Sequence, residues 1–219
     1  MQIAKVAGLM MGLTILLVAV GSWLGGSQGA ILMFVVSLAM NAGTYWFSDR
    51  MVLRMYKART ITPDDAPELY GMVERLAIRA GLPTPTIAIA PQAQPNAFAT
   101  GRDPEHGVVC FTEGILQALS LEELEGVTAH ELAHIKHRHM LVGTVAAAMA
   151  GAVAMVAGIA RWGLIFGSNR DGQNPLALLV GIIVAPIAAT IIRLAISRQN
   201  EFQADATAAE ITGGPEGLV

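Results

Sequence analysis

Ser120-Leu121-Glu122-Glu123-Leu124-Glu125-Gly126-Val127-Thr128-Ala129-His130-Glu131-Leu132-Ala133-His134-Ile135-Lys136 reads as one capped helix with a metal-binding face. Ser120 and Glu123 form a capping box, in which the hydroxyl and the carboxylate each satisfy a backbone N–H that the first turn leaves free. His130 and His134 are four residues apart, so a helix sets both imidazoles on one face about a turn apart, within reach of one tetrahedral zinc ion. Glu131, beside the first histidine, is placed to act as general base.

A catalytic zinc site takes three protein ligands and keeps one position open, so a third ligand must come from elsewhere. His137 shares the face of the pair but lies roughly 10 Å along the axis from His130 at 1.5 Å per residue, too far for one ion to be held by all three. His137 and His139 are therefore expected to face solvent or the membrane interface. His106, in a turn-rich stretch, is a weaker candidate. Ser197-Arg198-Gln199-Asn200-Glu201-Phe202-Gln203-Ala204-Asp205 offers a better one, because Glu201 and Asp205 are also four apart. One carboxylate can bind the metal while the other orients a ligand histidine.

The surroundings of these segments are membrane-like. Of the 219 residues 53% are hydrophobic and only 14% charged, where a soluble domain carries about 25% charged. Four apolar blocks approach the roughly 20 residues that cross a bilayer core. They run from Val6 to Leu24, Ala30 to Phe47, Leu141 to Ala160 and Leu176 to Ile196, the last with Pro186 near its middle. The first two are joined by Gly25-Gly26-Ser27-Gln28-Gly29. No A-x-A cleavage site follows the first block and a second span arrives at once, which favours a hairpin over a signal peptide.

Lys5, Arg50, Arg54, Lys57, Arg59, Lys136, Arg138 and Arg198 flank the ends expected to be cytoplasmic, since lysine and arginine collect on that side. Four crossings then return Glu201 to the compartment that holds His130, which raises Glu201 as the third ligand. A net charge of −3 shows no basic excess and sets nucleic acid aside. The single cysteine, Cys110, allows no internal disulfide and reads as a small buried hydrophobe in Val108-Val109-Cys110-Phe111.

Between the hairpins lies an α+β unit. Thr62-Pro63-Asp64-Asp65 predicts a helix start and Gly81 with Pro83 its stop, with Leu69, Met72, Val73 and Leu76 as the buried face. Three short strands follow at 86–90, 96–100 and 107–111, the last two joined as a hairpin through 101–106.

Taken together, Asn96-Ala97-Phe98-Ala99 before Gly101, the Val127–Ile135 stretch and Ser197–Asp205 resemble the HtpX-type integral-membrane metalloproteases, relatives of the CAAX prenyl proteases. The likeness covers essentially the whole chain. It implies one zinc ion per chain at His130, His134 and Glu201, Glu131 as base, and Asp205 as the partner of a ligand histidine. Asn96, Ala97, Phe98 and Ala99 are implied to border the cleft and pair with an extended substrate. Arg198 is implied either to stabilise the site electrostatically or to anchor its helix at the interface.

The family likeness further implies an inner-membrane protease that cuts misfolded or damaged membrane proteins on the cytoplasmic side. Such proteins continue well past the segment of Glu201 and Asp205, so a chain ending at Val219 is expected to be truncated.

The expected fold is thus mainly α: a polytopic membrane protein with four transmembrane helices and a small cytoplasmic α+β zincin-type peptidase domain. The expected parts are an N-terminal hairpin (1–48), the peptidase domain (49–140), a second hairpin (141–197) and a segment with the third ligand (198–219). Processing of lipidated or peptide substrates, and a metal-binding scaffold without turnover, are the alternatives. The intact Glu131 argues against the scaffold, which would not need a base.

Overall fold

The computed structural model describes residues 2–143, 145–146 and 198–214. They fall into two compact units, one built on Ile3–Leu38 and the other on 39–143 with 198–214.

Helix α1, Gln2–Met55, contains two stretches long and apolar enough to cross a bilayer, Ile3–Trp23 and Gly25–Phe47. It is not one straight rod. In a straight helix residues 21 and 29 are about 12 Å apart, yet a Cβ on Gly21 would sit 2.3 Å from the Gly29 carbonyl oxygen. The chain doubles back through Gly26, whose φ of 58° is left-handed, and only glycines permit so close a throat. Val6, Leu9, Leu13 and Leu17 are buried at helical spacing, while Ile15, Ile31, Leu32, Phe34 and Val35 are exposed. In water that apolar surface would be a liability; in lipid it costs nothing.

The expected third span, 141–160, is described only in its first residues, which are helical. The fourth, 176–196, lies outside the described residues.

The second arm of α1 continues unbroken to Met55, and Lys57 at φ 50° turns the chain out of it. A four-stranded sheet follows, in the order β1-β2-β4-β3. Strands β1 (Arg59–Thr60) and β2 (Thr86–Ala90) are antiparallel, β2 and β4 (Val108–Thr112) parallel, and β3 (Ala97–Thr100) and β4 antiparallel. The expected hairpin therefore forms, with Ala97 opposite Phe111 and Thr100 opposite Val108.

Alternation along the strands gives the sheet two faces. Ile87, Ile89, Val109 and Phe111 join the main core with Met72, Val73 and Leu76 of α2 (Pro67–Ala80) and Leu132 and Ile135 of the metal-motif helix. On the reverse face, Ala88, Ala90, Val108 and Cys110 lie against Leu53, Tyr56 and Phe98. The end of α1 is thus part of the sheet's packing.

One boundary differs from expectation. Helix α2 begins at Pro67, not at Thr62. Proline disfavours helical geometry in the residue before it, and Ala66 is accordingly non-helical at φ −154°. Thr62 to Asp65 instead form a turn, closed by the Asp65 carboxylate accepting from the Thr62 N–H at 2.7 Å and hydroxyl at 2.8 Å. The predicted stop holds: Gly81, at φ 70°, closes the helix in a left-handed cap.

Short helix α3 (Glu113–Ala118) leads into α4 (Leu121–Lys136), whose capping box forms as expected. The last described helix, α5 (Arg198–Thr212), buries Ala204, Thr207, Ala208 and Ile211. Ala208 and Ile211 belong to the core shared with α2 and α4.

Candidate metal centre

Helix α4 sets the His130 and His134 rings 4.7 Å apart, with their Nε2 atoms separated by 3.0 Å. Helix α5 brings Glu201 Oε2 to 3.5 Å from His130 Nε2 and 3.7 Å from His134 Nε2. Among the described residues these three form the group able to hold a metal. A tetrahedral ion with bonds of 2.0–2.1 Å spaces its ligand atoms about 3.3 Å apart, and the three distances bracket that value. The residues fit a zinc ion, with two neutral imidazoles and one carboxylate as donors.

The back of each histidine is also held. Asp205 Oδ1 lies 2.9 Å from His130 Nδ1. A carboxylate can only accept here, so Nδ1 donates and the Nε2 lone pair is left for a metal. His134 Nδ1 lies 3.2 Å from His139 Nδ1. Burial, then the neighbouring His130, lowers the His134 pKa to about 4, so at neutral pH this ring is uncharged and free to donate its lone pair.

Glu131 sits between this cluster and the sheet. Its carboxyl accepts the backbone N–H of Ala99, which lowers its pKa, but burial outweighs that bond and the nearby Glu201 charge adds to the rise, to about 8. Strand β3 is the last in the sheet and pairs on one side only. The Asn96 carbonyl accepts from Thr112 N–H at 2.9 Å, so Asn96 faces β4. Strand alternation turns Phe98 and Thr100 the same way and leaves the backbone groups of Ala97 and Ala99 on the open edge. The carboxyl of Glu131 therefore touches the edge where an added strand would lie.

Asn96 itself is locked by Thr112, whose hydroxyl lies 2.9 Å from its N–H. Arg198 stands exposed at the start of α5, one turn before Glu201, with no ion pair to a site carboxylate among the described residues. His106 is bound within its own loop, its N–H donating to Asp103 Oδ1 at 2.8 Å and its Nδ1 2.5 Å from the same oxygen. It takes no part in the metal group.

Two histidines depart from expectation. His139 is buried, with 5% of its surface exposed. His137 is half-buried, its Nε2 2.8 Å from Thr207 Oγ1 and its Nδ1 3.2 Å from the Gln203 amide nitrogen. Neither is solvent-facing, because α5 covers the end of α4. The repeated His-x-His at 137–139 was the available signal, but spacing on a straight helix pointed it away from the site.

The family model for peptidase family M48 matches residues 63–218, which takes in α2, strands β2, β3 and β4 and both helices of the cluster. The chain belongs to peptidase family M48. A protease HtpX homologue from Gemmatimonas aurantiaca is 58% identical over 217 residues, covering 98% of this chain and 77% of that protein. Another from Pyrococcus furiosus is 53% identical over 215 residues, covering 96% of this chain and 74% of its own length. The crystal structure of S. mikatae Ste24p matches with a TM-score of 0.54 at 18% identity, over 94% of this chain and 53% of that one. That likeness is one of fold. With its two candidate spans and small sheet unit, this M48 chain is a membrane metalloprotease.

Proposed function

We propose that His130, His134 and Glu201 hold one zinc ion, and that the chain is an endopeptidase of the bacterial inner membrane which cuts misfolded or damaged membrane proteins on the cytoplasmic side. The observation that carries this reading is the triangle of 3.0, 3.5 and 3.7 Å between the three donor atoms, with Glu131 beside it on the open edge of β3. Zinc held there supplies a Lewis acid for the scissile carbonyl.

Each residue then has a task. Ala97 and Ala99 present backbone groups on the open edge, where an extended substrate can add as a strand. Glu131 takes the proton of the attacking water and returns it to the leaving amine; burial gives its carboxyl a basicity suited to transfer near neutral pH. Asp205 fixes the ring of His130. Edge pairing reads backbone rather than side chains, which suits substrates known only by being unfolded. Arg198 serves to anchor α5 at the interface, as its exposure next to the membrane-side end supports.

In this reading 1–48 and 141–197 are membrane hairpins, and 49–140 with 198–219 form the peptidase domain. The lysines and arginines beside the spans support a cytoplasmic site.

The test uses detergent-purified protein, its bound metal measured and an unfolded model protein as substrate. Glu131→Gln is expected to keep zinc and lose cleavage by about 10²–10⁴-fold. Glu201→Ala is expected to lose zinc. Equal cleavage by wild type and Glu131→Gln, or zinc content unchanged by Glu201→Ala, would overturn the assignment.

A further inference from the structure

We propose that His139 is a positioning residue for the metal centre: its Nδ1 accepts the proton on His134 Nδ1 and so fixes His134 in the tautomer and orientation that present Nε2 to zinc. The inference rests on the metal site proposed above and adds to it a holder for the second histidine.

Three observations converge. First, the nitrogens are 3.2 Å apart and the rings meet edge to face at 69°, with centroids 5.2 Å apart. Second, His139 is buried and cannot trade this contact for water. Third, the backbone is bent to deliver it. On a straight helix a residue five places on lies about 140° around the axis, out of reach of the His134 ring. Here α4 stops at Lys136, Arg138 adopts a left-handed φ of 57°, and a helix resumes at His139. A non-glycine residue takes that conformation at a cost, and such strain persists where the surroundings demand it. The bend swings His139 back over the end of α4.

Proton positions follow by elimination. His134 Nε2 faces His130 and Glu201, so for metal binding its proton must be on Nδ1, and His139 Nδ1 must be bare. The proton of His139 is then on Nε2. That atom is buried, and the Gln203 side chain is a hydrogen-bonding neighbour of the His139 ring. His137, stacked on His139 at 5.4 Å and 25°, holds the ring from its other side. The two ligand histidines thus have different holders: a carboxylate from α5 for His130, and an imidazole from beyond the bend for His134.

The experiment compares zinc affinity, by chelator competition, in purified wild type, His139→Leu and His139→Asn. Leucine fills the space without an acceptor, whereas the asparagine carbonyl can stand near the position of Nδ1. His139→Leu is expected to weaken zinc binding about 10–100-fold, as loss of such an outer partner does, and His139→Asn to recover most of that loss. Thermal melting of the metal-free forms checks that each variant folds.

Leucine binding zinc as tightly as wild type would overturn the proposal. So would asparagine no better than leucine, which would reduce His139 to packing. Should the leucine variant not fold, nitrogen-15 NMR of the histidines in zinc-loaded wild type decides: a bare Nδ1 on His139 supports the proposal, and a protonated Nδ1 there overturns it. Failure of the metal site itself would look different, since wild type would then bind no zinc or His130→Ala would leave its metal content unchanged.

Discussion

Asp205 reaches His130 from a different helix, and the contact is charge-assisted, with a carboxylate as acceptor. Removing the oxygen with Asp205→Ala is expected to weaken zinc binding about 10–100-fold, while Asp205→Asn, which keeps an acceptor but not the charge, should fall between; chelator competition measures both. Cys110 makes the opposite prediction, of silence. It is wholly buried, and burial pushes its thiol up to about 11. A raised thiol pKa disfavours the reactive thiolate, so at pH 8 only about one thiol in a thousand is ionised. Iodoacetamide should leave Cys110 unmodified in the folded protein and alkylate it after denaturation, read by mass spectrometry. At this scale the sequence made His130, Glu131 and His134 plain, because a helix turns their spacing directly into geometry. His139 was hidden because its reach depends on the backbone at Arg138, and no side-chain pattern marks a left-handed arginine.

Strand β3 is where element geometry makes its sharpest demand. Its alternate residues face β4 and the open edge, so proline, which lacks an N–H, should have opposite consequences at neighbouring positions. Ala97→Pro removes an outward donor that no ladder bond uses. Zinc content and melting temperature should hold, while kcat/KM for an extended peptide falls about 2–10-fold, the worth of one net hydrogen bond. Phe98→Pro instead removes an inward donor and a ring that meets Tyr56 at 4.6 Å, so the melting temperature should drop. If both behave alike, the edge is not where substrate adds. Helix α5 has its own constraint: Ala208 is fully buried in the core. Ala208→Leu should cost about 1–3 kcal/mol through overpacking and loosen zinc by moving Glu201, although residue 208 is two turns from the ligand. Strands β2, β3 and β4 and helix α4 were legible from alternation, turn residues and the capping box. The two residues of β1 were too few to show a period, and the start of α2 was misplaced because Pro67 governs it rather than the cap at Thr62.

Across the whole molecule, the proposed membrane topology and the proposed metal centre constrain each other. His130 and Glu201 lie on either side of the apolar blocks at 141–160 and 176–196 in the sequence, yet their donor atoms are 3.5 Å apart. In the proposed topology the chain between them must therefore cross the bilayer an even number of times, whether as two spans or as a hairpin that dips and returns. Hydropathy made the N-terminal hairpin legible to within a few residues, because lipid rewards a long apolar run whatever its order; the side on which it opens rests on charge alone. In the proposed orientation, which follows the Lys5 and Arg50–Arg59 flanks, the Ser27 turn lies outside the cytoplasm and the Asp64 turn within it. A cysteine at Ser27 should then react with a membrane-impermeant maleimide added to intact cells whose outer membrane has been permeabilised. A cysteine at Asp64 should react only after the inner membrane is broken. Both positions are exposed, so reactivity reports access rather than packing, and the buried Cys110 adds little background in either case. Labelling of Asp64→Cys in cells with an intact inner membrane would reverse the orientation and put the peptidase on the far side. The metal site would stand unchanged, since its geometry requires only that α4 and α5 share a compartment.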